Sequence, residues 1–217
     1  MEIRTLEVAG LAPAIKAMRN PMNSWSKSDS CFDDPFRDDV VGTADRDLSE
    51  RLQKAGPEHC KHLRMIQAWA DITAPFYWWK QLDTYRFGVE KVSCSTMHKL
   101  TSRPLTVNDF EMDGEPTKHD LMLIDTLNEY IDFIMHSAAP DDEKQTAWRR
   151  LVRMLPEGYL QTQTVMFSYA ALRNIYKQRK GHKLKEWEIF RTWVESLPES
   201  WMITDAEPNR KEESKNA

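Results

Sequence analysis

The segment Leu155–Trp193, LPEGYLQTQTVMFSYAALRNIYKQRKGHKLKEWEIFRTW, carries the strongest signal in this 217-residue chain. Val165, Tyr169, Leu172 and Tyr176 recur at steps of four, three and four, a spacing that predicts one buried helical face. Gly181 stands where a left-handed residue would end that helix. A second helix is expected from about Lys183, with Leu184, Trp187, Arg191 and Val194 in register and a stop before Pro198. Between Arg173 and Lys185 lie six basic residues, one histidine and no acid, in a chain of net charge −4. Such a field suits a small anion such as a phosphate. It equally suits a solvated helix end, where cations favour the negative pole of the macrodipole. Arg173 and Arg179 lie about 120° apart around an ideal helix, so they do not share one stripe.

Around this segment the chain reads as one soluble domain. Apolar residues make up 41% and charged residues 29%, enough for a sizeable core. The negative balance argues against a dedicated nucleic-acid binder. No apolar run reaches membrane-spanning length, and no signal-peptide pattern opens the chain. Three scattered cysteines point to free thiols in a reducing, cytoplasmic compartment. The eight tryptophans and eleven methionines read as core filling.

Met1–Gly10 is expected to be an edge strand and Leu11–Met18 a short helix. Residues 23–42 form a polar stretch, either a functional or a mobile surface loop. A helix follows from about Asp45, with Leu48 and Leu52 inward and Gly56-Pro57 at its end. His62–Asp71 is ambiguous, because Leu63, Met65 and Trp69 alternate but Gln67 breaks the pattern. Pro75 opens an aromatic helix with Trp78, Leu82 and Tyr85 on its face. Thr101–Thr117 is loop-like. Leu121–Met135 and Ala139–Met154 are expected helices, the first showing Leu121, Ile124, Asn128, Ile131 and Met135 on one face. Domain bounds of 1–203 leave a charged, disordered tail at 204–217.

Two clusters invite chemistry. His59, Cys60 and His62 are possible metal ligands, but no close C-x-x-C pair or distant histidine pair completes a site. Cys94 and His98 are spaced to pair as thiolate and base if their segment is helical, although no third orienting residue is evident. The Ser93-Cys94-Ser95-Thr96 run suits either phosphate binding or simple helix capping.

The pattern Leu155-Pro156, Arg173, Arg179, His182 and Trp187-Glu188-Ile189 resembles the C-terminal half of the flavin-dependent thymidylate synthases. The upstream half is similar too, through the helix at Asp45–Gly56, a histidine before a strand, and Ala74-Pro75 leading through Lys80-Gln81 to Arg86. The resemblance spans about Asp45–Trp193. Thr84-Tyr85-Arg86 stands where the family has Arg-His-Arg, and Ser93–Leu100 lacks the family's serine-glutamate block. The resemblance implies an α+β fold, helix-rich with a small, mainly antiparallel sheet. It implies reductive methylation of dUMP or a related pyrimidine nucleotide, with FAD as cofactor and methylenetetrahydrofolate and NADPH as co-substrates. It assigns Arg173 to the nucleotide as the catalytic residue, Gln81 and Lys99 to substrate binding, and His62, Arg86, Arg179 and His182 to the flavin. In this family Ser24–Ser30 would approach the flavin phosphates, and the sites lie between subunits of a homotetramer. A relative that keeps the fold to bind a nucleotide, flavin or protein partner without catalysis is the alternative.

Overall fold

The computed structural model describes residues 1–32 and 40–204. β1 spans Glu2–Ala9 and α1 spans Leu11–Met18, as their patterns predict. Gly10 joins them at φ +90°, where a Cβ would collide with the Met65 carbonyl, so glycine is needed there. Short 3₁₀ turns at Asn20–Met22 and Trp25–Lys27 precede α2, Thr43–Ala55. A third 3₁₀ turn, Lys61–Arg64, leads into β2, Gln67–Pro75, and then α3, Phe76–Leu82. β3, Val89–Ser93, is followed by the single-turn α4, Thr96–Lys99. The long α5, Lys118–His136, and α6, Asp141–Met154, come next. β4, Leu160–Ser168, runs directly into α7, Tyr169–Gln178; α8, Glu186–Glu195, and α9, Trp201–Thr204, complete the described chain. The four strands form one antiparallel sheet in the order β1-β2-β4-β3, and the fold is α+β and helix-rich as expected. Among the described residues no helix is long and apolar enough to cross a membrane. Residues 33–39 of the polar stretch and 205–217 of the expected tail lie outside the described residues.

Several local readings are corrected. Val165 belongs to β4, not to the helix, because the four-three-four spacing bridges a strand–helix junction. Val165, Tyr169 and Leu172 are nonetheless all fully buried. The inward positions of α2 are Asp45 and Ser49, whereas Leu48 and Leu52 are only half-buried. In β2 the buried phase is Ala68, Ala70, Ile72 and Ala74, with Leu63 assigned to the preceding turn. α8 begins three residues later than expected, leaving Leu184 outside it. Cys94 precedes α4, so it does not share a helical face with His98; the Ser95 hydroxyl caps that turn by accepting from the His98 amide.

The chain divides into two compact units. One comprises Met1–Glu2, Asp71–Thr84 and Lys91–Thr164. Its core joins Ile124, Leu127 and Ile131 of α5 to Leu151 of α6 and to Leu100, Leu105 and Phe110. Asn128 on α5 accepts from the Leu105 amide at 2.7 Å and donates to its carbonyl at 2.9 Å, which pins the loop that follows α4. Trp78 and Trp79 of α3 are buried, and the Trp79 indole donates to the Gln161 carbonyl.

The other unit comprises Ile3–Ala70, Tyr85–Glu90 and Val165–Ala217. Phe167 packs edge-on or tilted against Phe190 and Trp193 of α8, with centroids 5.6 and 5.8 Å away. A second centre is polar. Asp45 is fully buried and accepts from Arg19 Nε at 2.5 Å and from the Ser28 and Ser30 hydroxyls at 2.6 Å each. Asp29 reciprocates, accepting from the Ala44 and Asp45 amides at the start of α2. Burial pushes the Asp45 carboxyl up, but the serine hydroxyls and Arg19 outweigh it and hold it below the usual carboxylate range. Ser28 and Ser30 thus have an internal structural partner.

Two stability measurements check these cores. Leu127→Ala, at a fully buried position, is expected to cost about 2–5 kcal/mol in denaturant unfolding, while Leu121→Ala, 46% exposed, changes it by less than about 0.5 kcal/mol. Asp45→Ala leaves Arg19 buried and unpaired and is expected to cost about 3–5 kcal/mol by the same measurement.

Candidate functional site

α7 divides its surface by helical geometry. Tyr169, Leu172 and Ile175 enter the core, and the Ser168 hydroxyl caps the helix by accepting from the Ala171 amide. The neighbouring face, Ala170, Arg173, Asn174 and Lys177, lines a cavity of about 410 Å³. Gln53 from α2, with Cys60 and Arg64 from the chain around the third 3₁₀ turn, forms much of the other wall. The volume lies within the range of roughly 300–1,000 Å³ usual for small-ligand sites.

Beside the cavity, α2 sets a hydrogen-bonded chain. Gln53 Nε2 donates to Ser49 Oγ at 3.1 Å, and Ser49 Oγ lies 2.8 Å from His62 Nε2. His62 is only 3% exposed, and its Nδ1 is buried without a hydrogen-bond partner. Burial and the nearby Arg173 charge both oppose protonation and hold the His62 pKa down to about 4. Burial also pushes the Cys60 thiol up, against the charge and hydrogen bond of Arg173, which favour the thiolate. The thiol contacts the Leu52 and Gly56 carbonyls.

Arg179 occupies a different setting. Its guanidinium carbon lies 5.2 Å from the Tyr85 ring centre and 4.5 Å from that of Trp187, a cation–π arrangement on two rings. The Tyr85 hydroxyl donates to Gln178 Oε1. His182 stands 6.2 Å from the Trp187 ring and accepts from the Leu184 amide through Nδ1. Gly181, at φ +66°, makes the reversal between α7 and α8.

The predicted residues are therefore distributed over several places. Arg173 and His62 come together. Arg179 and His182 share the Trp187 ring, and Arg86 is exposed in the segment that joins α3 to β3. Gln81, half-buried on α3, and Lys99, exposed at the end of α4, belong to the other unit. Sequence reasoning missed Ser49, Gln53, Arg64 and Lys177. Lys177 lay in the basic run, four residues after Arg173, but Ser49 and Gln53 sit on a helix whose apolar residues had claimed the inward face.

No protein-family model and no curated relative matches the sequence. Solved structures do match. The flavin-dependent thymidylate synthase ThyX of Helicobacter pylori, complexed with FAD and dUMP, superposes with a TM-score of 0.70 at 18% identity, over 96% of this chain and 100% of that one. A second structure of ThyX from that organism with FAD and dUMP gives 0.69 at 17% identity, over 94% and 98%. The fold is thus ThyX-like.

The burial of His62 makes a pH prediction. The unfolded chain takes up this proton near pH 6.5 and the folded chain only near 4, so stability is complete above pH 6.5 and falls as pH drops through that window. Its contribution amounts to about 3 kcal/mol. Urea unfolding of His62→Gln is expected to show a much flatter profile between pH 6.5 and 4.5 than the unsubstituted protein.

Proposed function

We propose that this protein is a divergent flavin-dependent thymidylate synthase-like enzyme that binds a pyrimidine nucleotide and FAD and methylates dUMP or a close relative. The observation that carries the reading is the Arg173 cavity on a fold that, in ThyX, carries FAD and dUMP. A fold alone does not give function; the side chains of a site do. The cavity suits a nucleoside monophosphate or one end of a dinucleotide. Arg64, Arg173 and Lys177 offer charge-assisted donors to phosphate, and Gln53 and Asn174 add neutral ones. Trp187 and Tyr85 present ring faces near His182 and Arg179, residues assigned to the flavin by resemblance.

Bound FAD would supply the hydride, with methylenetetrahydrofolate as carbon donor and NADPH as reductant. The chain's own contribution is to bind, orient and exclude water. Gln81, Lys99 and Arg86 complete the proposed set, Gln81 and Lys99 toward substrate and Arg86 toward flavin. The proposed assembly is a homotetramer, in which residues of different subunits meet at one site.

One observation favours a second reading, a non-catalytic relative that binds a nucleotide or flavin. Arg179 is packed against two aromatic rings, and releasing it toward a ligand would cost those contacts. The visible spectrum of the protein after incubation with FAD and desalting separates the two in a first step, and a dUMP methylation assay in a second. Retained flavin absorbance and turnover are expected, with Arg173→Ala reducing turnover by more than about tenfold. Flavin retention without turnover selects the non-catalytic reading, and a colourless protein removes the flavoenzyme.

A further inference from the structure

We propose that the trough between α5 and α6 is a docking site for a basic amphipathic helix of a partner protein. The trough lies within one compact unit and shares no lining residue with the nucleotide and flavin set, so the two readings stand independently.

Helical spacing builds both walls. Thr126, Glu129, Tyr130 and Phe133 fall at steps of three, one and three, so they share one face of α5. Met122, 55% exposed, extends that stripe by a further turn. From Met122 to Phe133 it runs about 16 Å, or about three helical turns. On α6 the facing side carries Asp142, Glu143, Ala147 and Arg150. The two helices pack through Ile124, Leu127, Ile131 and Leu151, and beside that seam they leave a trough of about 500 Å³. Ala147 is buried and small, which keeps the floor low, while Phe133 is 37% exposed. The Thr126 hydroxyl donates to the Met122 carbonyl at 2.9 Å, so its proton is already used within α5.

Charge states the occupant. From Asp120 to Glu143 the chain carries seven acidic residues and no lysine or arginine. The histidine inside that range, His136, is bonded to Asp132. Among the described residues no ion pair engages Glu129, Asp142 or Glu143, all of which line the trough. Asp142 and Glu143 stand in the first turn of α6, where acids favour the positive pole of the macrodipole. Glu129 lies in the C-terminal half of α5 and gains nothing from such a pole. Aromatic rings and carboxylates in one trough suit a cation on an apolar stem, such as lysine or arginine on an amphipathic helix. An isologous contact between two copies would set carboxylates against carboxylates, and an anionic membrane or nucleic acid is repelled for the same reason. Arg150 gives the trough polarity, standing about 10 Å along α6 from Glu143. A bound helix therefore lays its basic end on the carboxylates and turns its C-terminal carbonyls, or an acid, to Arg150. An open trough rimmed by exposed side chains fits a rod-shaped partner better than an enclosed small molecule.

Fluorescence anisotropy of the full chain against a labelled, amidated peptide of about 15 residues tests the site. The peptide carries leucine along one helical face and lysine in its N-terminal half. A second peptide of identical composition scatters the leucines around the helix. The first is expected to bind, and the second to bind at least about tenfold more weakly. Glu129→Gln combined with Glu143→Gln, and separately Phe133→Ala, should each weaken the first peptide about tenfold. The charge-matched pair Asp125→Asn with Asp132→Asn, on α5 but outside the trough, should change its affinity less than about twofold at physiological salt. All five positions are exposed, so folding is retained. Equal losses in the trough pair and the charge-matched pair reduce the binding to diffuse attraction and overturn the docking site. Equal affinity for the two peptides, or no binding of the first, overturns it as well. Light scattering of the chain alone covers the remaining occupant. An assembly that the trough pair or Phe133→Ala dissociates gives the trough to a second copy and overturns the partner helix.

Discussion

A carboxylate with no exposed surface has to be surrounded by donors, and Asp45 gathers them from two stretches of chain far from its own. Arg19, at the end of α1, supplies the charge; Ser28 and Ser30 supply hydroxyls, and the amides of Asp29 and Ser30 complete the shell. Desolvating such a group costs several kcal/mol unless it is paired and hydrogen-bonded. The network therefore tolerates few alternative geometries. Asp29 in turn accepts the first amides of α2, which would otherwise be unsatisfied at the helix start. The polar segment and the helix hold each other in place, and the register of α2 is set by the pair.

That register reaches the candidate site. Asp45, Ser49 and Gln53 recur at steps of four, so they form one stripe along α2. The first residue is locked by the ion pair, the second touches His62, and the third both donates to Ser49 and lines the cavity. A rotation of α2 sufficient to bury Leu48 and Leu52 would withdraw all three together. The polar centre thus positions one wall of the cavity, and the apolar face of α7 positions the other.

This also explains what could be read in the sequence. α1, α5 and α6 were legible because their apolar residues follow helical spacing and their caps or breakers are local, as with Thr117 and Asp120 at the start of α5. Hydrophobic periodicity cannot reveal a buried stripe made of Asp, Ser and Gln, so the inward face of α2 was assigned to the wrong residues. Nor does it mark where a strand becomes a helix when both bury their side chains. Val165 and Tyr169 satisfied a helical step across the junction after Ser168, and β4 was absorbed into the helix. Of the site, the basic run and Arg173 were visible, but its partners Arg64 and Gln53 are more than 100 residues away in sequence and meet it only through the fold.

The two arginines of the basic run show how six residues of helix separate two chemistries. Arg173 remains on the helix face that lines a cavity, with Lys177 one turn on. Arg179 follows α7 and lies against Tyr85 and Trp187. A guanidinium on aromatic faces keeps its charge but gives part of its surface to the rings, which favours rigidity over ligand exchange. The side chain beside a cavity is the one better placed to exchange its contacts for those of a ligand. Two arginines of one basic run, both within the pattern read from the sequence, are thus held by different contacts: Arg173 by the wall of a cavity and Arg179 by two aromatic rings.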